Sequence, residues 1–303
     1  MRVFVAGGAG VLGRRLVPQL VAHGHDVVAT ARGTARLDML RELGAEPVTM
    51  DGLDAASVDR AVARARPDVI VHQMTAISGK PDMRHFDRWF ATTNRLRTEG
   101  TDHLLAAAEA TGVGHVVAQS YASWNGIRTG GWVKTEDDPL DPTSIGAAAA
   151  AIRHLEEAVL GADGTVLRYG ALYGPGATDD QVALIRRRQY PIVGSGDGHS
   201  SFVHLDDAAR ATVLAVEQTA RGVFNIVDDE PAPAREWPPY LAACAGAKRP
   251  MRIPTWLARP LAGPQAVAMM TEGRGFSNAK AKRELGWQLR YPSWRQGFAE
   301  ALA

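Results

Sequence analysis

Gly7-Gly8-Ala9-Gly10-Val11-Leu12-Gly13 is the stretch that decides the fold. Before it, Arg2-Val3-Phe4-Val5-Ala6 reads as a buried strand; after it, Arg14-Arg15-Leu16-Val17-Pro18-Gln19-Leu20-Val21 opens a helix. Glycines at this spacing, set between a strand and a helix, make a phosphate cradle. Gly7 permits the tight turn, Gly10 lets the backbone approach a pyrophosphate, and Gly13 lets helix and strand pack closely. The helix N-terminus supplies unpaired amides and the positive end of its dipole. A dinucleotide held at Gly7, Ala9, Gly10, Val11, Leu12 and Gly13 is therefore expected.

Strands and helices keep alternating outward from this point. His25 to Arg32 reads as a strand, Leu37 to Leu43 as a short helix ended by Gly44, and Val48-Thr49-Met50 as a strand closing on Asp51. Ala55 to Ala65 is helical, Asp68 to His72 a strand, and one long helical stretch is expected from Phe86 to Ala110. The strand His115 to Gln119, the helix Ala147 to Leu160 and the strand Thr165 to Tyr169 follow. This spacing predicts an α/β fold with a Rossmann-like, doubly wound parallel sheet. From Gly174 onward the periodicity loosens. The expected division is a dinucleotide-binding domain over 1–173, to which 201–230 returns, and a small substrate lobe built from 174–200 and 231–303. The cleft between them is the natural substrate site.

Composition narrows the function. The chain has 303 residues, 46% hydrophobic, with net charge +1 and no block of Lys or Arg, so neither nucleic acid nor an anionic membrane is an expected partner. No apolar run is long enough to span a bilayer, and a strand beginning at residue 2 leaves no room for a signal peptide, so a cytoplasmic location is expected. Cys244 is the single cysteine, which excludes an intrachain disulfide. The histidines lack ligand spacing, and no metal is expected.

Several landmarks in order resemble the extended short-chain dehydrogenase/reductase superfamily, the group of nucleotide-sugar epimerases and dehydratases. They are the glycine motif, Asp51-Gly52-Leu53-Asp54, Pro67 to His72, Gly100-Thr101, Leu167 to Gly176, Phe202 to Asp207, and Ala281 to Trp287. The resemblance implies a cofactor at the strand ends, with Asp51 and Gly52 near the adenine, Met74-Thr75-Ala76 near the adenosine ribose and pyrophosphate, and Tyr169 in the same set. Asp51 also reads as a turn cap, and the His204 to Asp207 stretch as a strand end with an Asp N-cap. Relatives pair through helices corresponding to Phe86–Ala110 and Ala147–Leu160, so a homodimer is expected.

The second phosphate follows from charge. An NAD site places Asp or Glu at the end of the second strand, where it accepts from the ribose 2′-hydroxyl and repels a 2′-phosphate. Here the strand ends in Ala31-Arg32. A guanidinium binds phosphate through paired charge-assisted hydrogen bonds, which makes NADP the expected cofactor and NAD the lesser one.

The resemblance fails at the chemistry. The family's Ser or Thr after the fifth strand, its Tyr at the start of the next helix and a Lys four residues on form a proton-donating set in which the cation lowers the phenol's pKa. Ile145 and Ala149 stand at the Tyr and Lys positions, there is no Tyr between Tyr121 and Tyr169, and Lys134 is the only Lys in that interval. Aligning Gly126 with the family's glycine puts Tyr121 at the Ser or Thr position, with Ser120 just before it. Tyr121 and Ser120 are thus the candidate proton donors, with Tyr121 as a space-filler and Ser120 or Ser123 as local hydrogen-bonders the alternative readings. Lys134 reads as a surface charge or as a donor from its loop. Ser201 replaces a basic residue that commonly binds a nucleotide-sugar phosphate, and Trp256, Leu257, Met269 and Met270 suggest an uncharged organic substrate. The expectation is an NADP-binding oxidoreductase acting on a small carbonyl or polyketide-like substrate. A redox-neutral isomerase, lyase or cyclase and a non-catalytic NADP-binding protein are the alternatives.

Overall fold

The computed structural model describes residues 1–77, 86–122, 130–139 and 146–302. Its centre is a seven-stranded parallel sheet. Strands β1 (Arg2–Ala6), β2 (Asp26–Ala31), β3 (Glu46–Thr49), β4 (Val69–His72) and β5 (His115–Tyr121) are joined by Thr165–Tyr169 and Gly222–Ile226. The order runs Gly222–Ile226, Thr165–Tyr169, β5, β4, β1, β2, β3. β1 and β4 are buried on both faces, which is why they read as continuous apolar runs rather than alternating ones. The chain steps outward from β1 to β3 and then returns to β1's other side for β4. The direction reverses between β1 and β4, and a crevice opens at their C-terminal ends.

The helices α1 (Gly13–Ala22), α2 (Thr34–Glu42), α3 (Ala55–Ala65), α4 (Phe86–Arg97), α5 (Glu99–Thr111) and α6 (Ala147–Gly161) cover the sheet. On one face Leu16, Val17 and Leu20 of α1 join Val3, Val5 and Val71 in the main core. On the other, Val58 and Val62 of α3 and Leu104 of α5 meet Phe4 and Ile70. The long helix expected from Phe86 to Ala110 is two helices. Thr98 breaks it at φ −96° and ψ −84°, and its hydroxyl donates back to the Asn94 carbonyl.

A second core gathers Tyr173, Val182, Ile185, Phe202, Trp237, Leu241, Trp294 and Phe298. The segment 231–303 does not all belong to it. Ala281, Leu285 and Trp287 pack into the main core instead. Asp207 explains the attachment: its carboxylate accepts from the amides of Arg290 and Tyr291, and its carbonyl accepts from Trp287 Nε1. The N-cap of the helix Leu205–Glu217 is His204, whose Nδ1 accepts from Asp206 N, so Asp207 is a clamp rather than a cap.

One buried carboxyl sets a pH dependence. Asp228 is 1% exposed, accepts at Oδ1 from Glu230 N and has no hydrogen-bond partner at Oδ2 among the described residues; burial pushes it up to about 8. An unfolded Asp titrates near ~3.9. Between these values the folded state holds more protons, so this group makes stability fall as pH rises through that window. Asp228→Asn is expected to flatten the loss, raising the melting temperature at pH 8 more than at pH 5. Parallel pH profiles for the two proteins in calorimetry would rule Asp228 out.

Among the described residues, no helix is long and apolar enough to cross a membrane. Nor do any three His, Cys, Asp or Glu residues there cluster to hold a metal.

Candidate active site

The glycine turn sits at the crevice, and each glycine has its own reason. Gly7 adopts φ +92°, and a Cβ there would lie 2.8 Å from the Gln73 carbonyl oxygen at the end of β4. At Gly13 a Cβ would come 2.3 Å from the Gly8 carbonyl oxygen, so the first turn of α1 lies directly on the glycine turn. Gly10 differs: apart from the Gly7 carbonyl oxygen at 3.2 Å, nothing among the described residues would touch its Cβ. Its missing side chain keeps open space rather than packing.

Above that space the amides of Val11, Leu12 and Gly13 have no acceptor among the described residues. Leu12 caps α1 with no side-chain hydrogen bond, and the first turn holds no acidic residue. Unpaired amides, an open cradle and a helix dipole fit a pyrophosphate.

At the ends of β2 and β3, Arg32 is exposed and makes no ion pair among the described residues. Gly33 follows at φ 89° as an N-cap with no side-chain bond, and Arg36 lies in the first turn of α2. A cation there opposes the helix dipole unless an anion joins it. Asp51 is exposed, and its Oδ1 accepts from Leu53 N in an Asx turn. Gly52 is buried for packing: a Cβ would lie 2.4 Å from Met74 Sδ. Met74 is likewise buried, Thr75 is exposed, and the Ala76 amide donates to Thr93 Oγ1 at 3.0 Å. His72 beneath them is held neutral, lowered by burial to about 4, accepting at Nδ1 from Met74 N while Nε2 meets the Leu96 carbonyl.

Two expected site residues are placed elsewhere by their hydrogen bonds. Tyr169 is 1% exposed in the main core; its hydroxyl takes a bond from Gln73 Nε2 and bonds Thr212 Oγ1 at 2.6 Å, and burial pushes the phenol up to about 12. Its side chain serves the core, not a cofactor. Ser120 is 2% exposed and donates to Glu156 Oε1 beneath α6. Glu156 in turn holds Arg168 through Nε at 3.0 Å and Nη2 at 2.6 Å. The hydroxyl of Ser120 is thus committed to a buried trio.

Tyr121 is the next residue on β5 and faces the other way, half-buried at the strand end. Along α6, Ala148 and Ala149 are buried, so the position expected for a Lys carries a methyl group. Ile145, Ser144, Ser123 and Gly126 lie outside the described residues. Lys134 is no surface charge: it is 4% exposed with Nζ 3.4 Å from Asp138. Ser201 is fully buried and accepts from Phe276 N. Trp256 is 75% exposed and Leu257 37%, so neither lines an enclosed pocket.

Sequence reading missed a buried cation. Phe90, Asn94 and Arg97 form one stripe of α4, all buried. Arg97 is 5% exposed, with its guanidinium carbon 5.8 Å from the Phe90 ring centroid. Burial lowers it to about 10, and the Tyr121 phenol lies within electrostatic reach. At neutral pH it is a charged group. The signal was present: Asn and Arg at helical spacing from a buried Phe, where apolar residues belong.

The chain is similar to named reductases and, in fold, to an epimerase. A 3-diazoavenalumate denitrifying reductase of a Streptomyces species is 44% identical over 307 residues, covering 98% of this chain and 99% of that one. A 2-alkyl-3-oxoalkanoate reductase of Stenotrophomonas maltophilia is 30% identical over 274 residues, covering 82% and 77%. The fold matches a UDP-glucose 4-epimerase of Thermotoga maritima at TM-score 0.80 and 22% identity, over 100% of this chain and 97% of that one. With relatives named as reductases, the chain is an enzyme, and the non-catalytic reading falls. Residues 3–227 match one family model across most of the chain, so the chain belongs to the NAD dependent epimerase/dehydratase family.

Proposed function

We propose that this oxidoreductase is an NADPH-dependent reductase that removes a diazo group from a small aromatic acid as dinitrogen. The observation that carries the reading is the dismantled donor set. Ala149 replaces the cation, and Ser120 is bonded to Glu156 under α6. Reducing a carbonyl leaves an alkoxide that needs a proton, and a positioned general acid is worth about 10²–10⁴-fold there. Reducing an arenediazonium needs none. Bound NADPH supplies a hydride; its electron pair becomes the new C–H bond, while the C–N pair leaves with dinitrogen. Charge and atoms balance without a protein proton. The relative at 44% identity is named for a denitrifying reduction of a diazo acid, which supports this substrate class.

Tyr121 beside the Arg97 cation favours a second reading, carbonyl reduction with a displaced phenol donor. One variant separates them. With a ¹⁵N-labelled diazo-hydroxycinnamate, enzyme and NADPH should release labelled dinitrogen one-for-one with cofactor oxidation, and Tyr121→Phe should keep that rate within about threefold, since no proton transfer is lost. NADPH oxidation without gas would overturn the diazo reading. A loss of at least about 10² in kcat in Tyr121→Phe would favour the carbonyl one.

The preference for NADPH rests on Arg32, on Arg36 and on the absent carboxylate at the β2 end. A charge-assisted phosphate contact contributes about 1.5–3 kcal/mol. Arg32→Ala is therefore expected to remove most of a roughly tenfold to 150-fold preference over NADH. Calorimetric titration of both cofactors checks it, and equal affinities in the unmutated enzyme would refute it. We further propose a homodimer paired through the outer sides of α4 and α6; light scattering that gives the mass of a single chain would exclude it.

A further inference from the structure

Among the described residues, Arg97 is a buried cation without a counter-ion. Among the described residues its guanidinium has no carboxylate or hydrogen-bond partner, and Nη1 is sealed from solvent. Asn94, one turn earlier on the same stripe, has both Nδ2 and Oδ1 buried and unpartnered. Native interiors rarely tolerate either, because each orphan carries its full desolvation cost and an uncompensated charge carries far more. Together they present an amide and a planar fork of donors at the end of α4, near His72 of β4 and Tyr121 of β5.

We propose that Arg97 and Asn94 bind the carboxylate of the substrate. The guanidinium fork matches a carboxylate with two parallel bonds, and Asn94 Nδ2 adds a third donor. Phe90 and Tyr121 bring aromatic rings to the surroundings of this group. The class of ligand is thus an aromatic acid, with the acid end at α4. This deepens the reading of the enzyme as a reductase of small aromatic acids and rests on it for the location of the substrate. It also revises the expectation of an uncharged substrate.

The test needs no turnover. Enzyme saturated with NADP⁺ is titrated calorimetrically with trans-cinnamate and with cinnamide, for the unmutated chain, Arg97→Met and Arg97→Lys. The expected result is that cinnamate binds at least about tenfold more tightly than cinnamide, that Arg97→Met abolishes the difference, and that Arg97→Lys keeps part of it. Arg97→Met should also melt no lower than the unmutated protein, since it removes an unpaired buried charge; an arginine needed only for structure would lower it. NADPH affinity, titrated separately, should be the same in all three proteins. Equal binding of acid and amide by the unmutated enzyme overturns the proposal. So does a weakening of NADPH by Arg97→Met, which would assign the cation to the cofactor's phosphates. If dinitrogen release fails while the acid still binds through Arg97, the diazo reading falls and the carboxylate site stands.

Discussion

Gly10→Val should weaken NADPH binding by at least about a hundredfold, ~2.7 kcal/mol, while shifting the melting temperature by only a few degrees. The contrast with its neighbours is the reason. Gly7 and Gly13 are glycine because protein lies against them, at 2.8 Å from Gln73 O and 2.3 Å from Gly8 O, so a side chain at either displaces backbone. At Gly10 a Cβ meets, among the described residues, only the Gly7 carbonyl oxygen at 3.2 Å, and its φ does not lie in the left-handed region. Valine is thus accommodated by the fold. What it fills is the approach to the Val11, Leu12 and Gly13 amides, which have no acceptor among the described residues. A phosphate held off those amides loses several charge-assisted bonds at once. Calorimetric titration with NADPH, beside a thermal melt, separates the two effects. Unchanged affinity would mean that the pyrophosphate does not cross this turn.

The sheet was legible because its signal is local. Buried runs such as Val69 to Val71, followed by helices of regular spacing, state their own period, and the glycine turn marks where the first crossover begins. That no Tyr stands between Tyr121 and Tyr169 is a fact of the sequence alone. What sequence did not disclose is partnership across distance. Alternation along β5 puts Ser120 and Tyr121 on opposite faces but does not say which face looks into the crevice. That is decided by Glu156, 36 positions away, which receives Ser120 under α6. Tyr169 reads as a strand-end aromatic near a ligand until Gln73 and Thr212 are found on its hydroxyl. Arg97 was overlooked because charged residues ending a helix are usually solvated and favour its dipole. Only burial shows this one to be different.

The Ser120–Glu156–Arg168 trio makes the largest stability prediction. Glu156→Ala should cost about 3–5 kcal/mol, because it leaves Arg168 charged, buried and without its bidentate partner. Both side chains are nearly sealed, at 8% and 4% exposure, so solvent cannot replace the lost carboxylate. Ser120→Ala removes only one donor to that carboxylate and should cost less, about 1.5–3 kcal/mol. Replacing both charged residues, as Glu156→Leu with Arg168→Met, should recover most of the stability, since the desolvation of two ions goes together with their attraction. Urea midpoints for the four proteins check the series. Its functional arm follows from the geometry: Ser120→Ala should leave the rate of dinitrogen release unchanged, as its hydroxyl faces Glu156 and not the crevice. A fall in that rate with normal stability would return Ser120 to the chemistry and overturn the assignment of the trio as a structural lock.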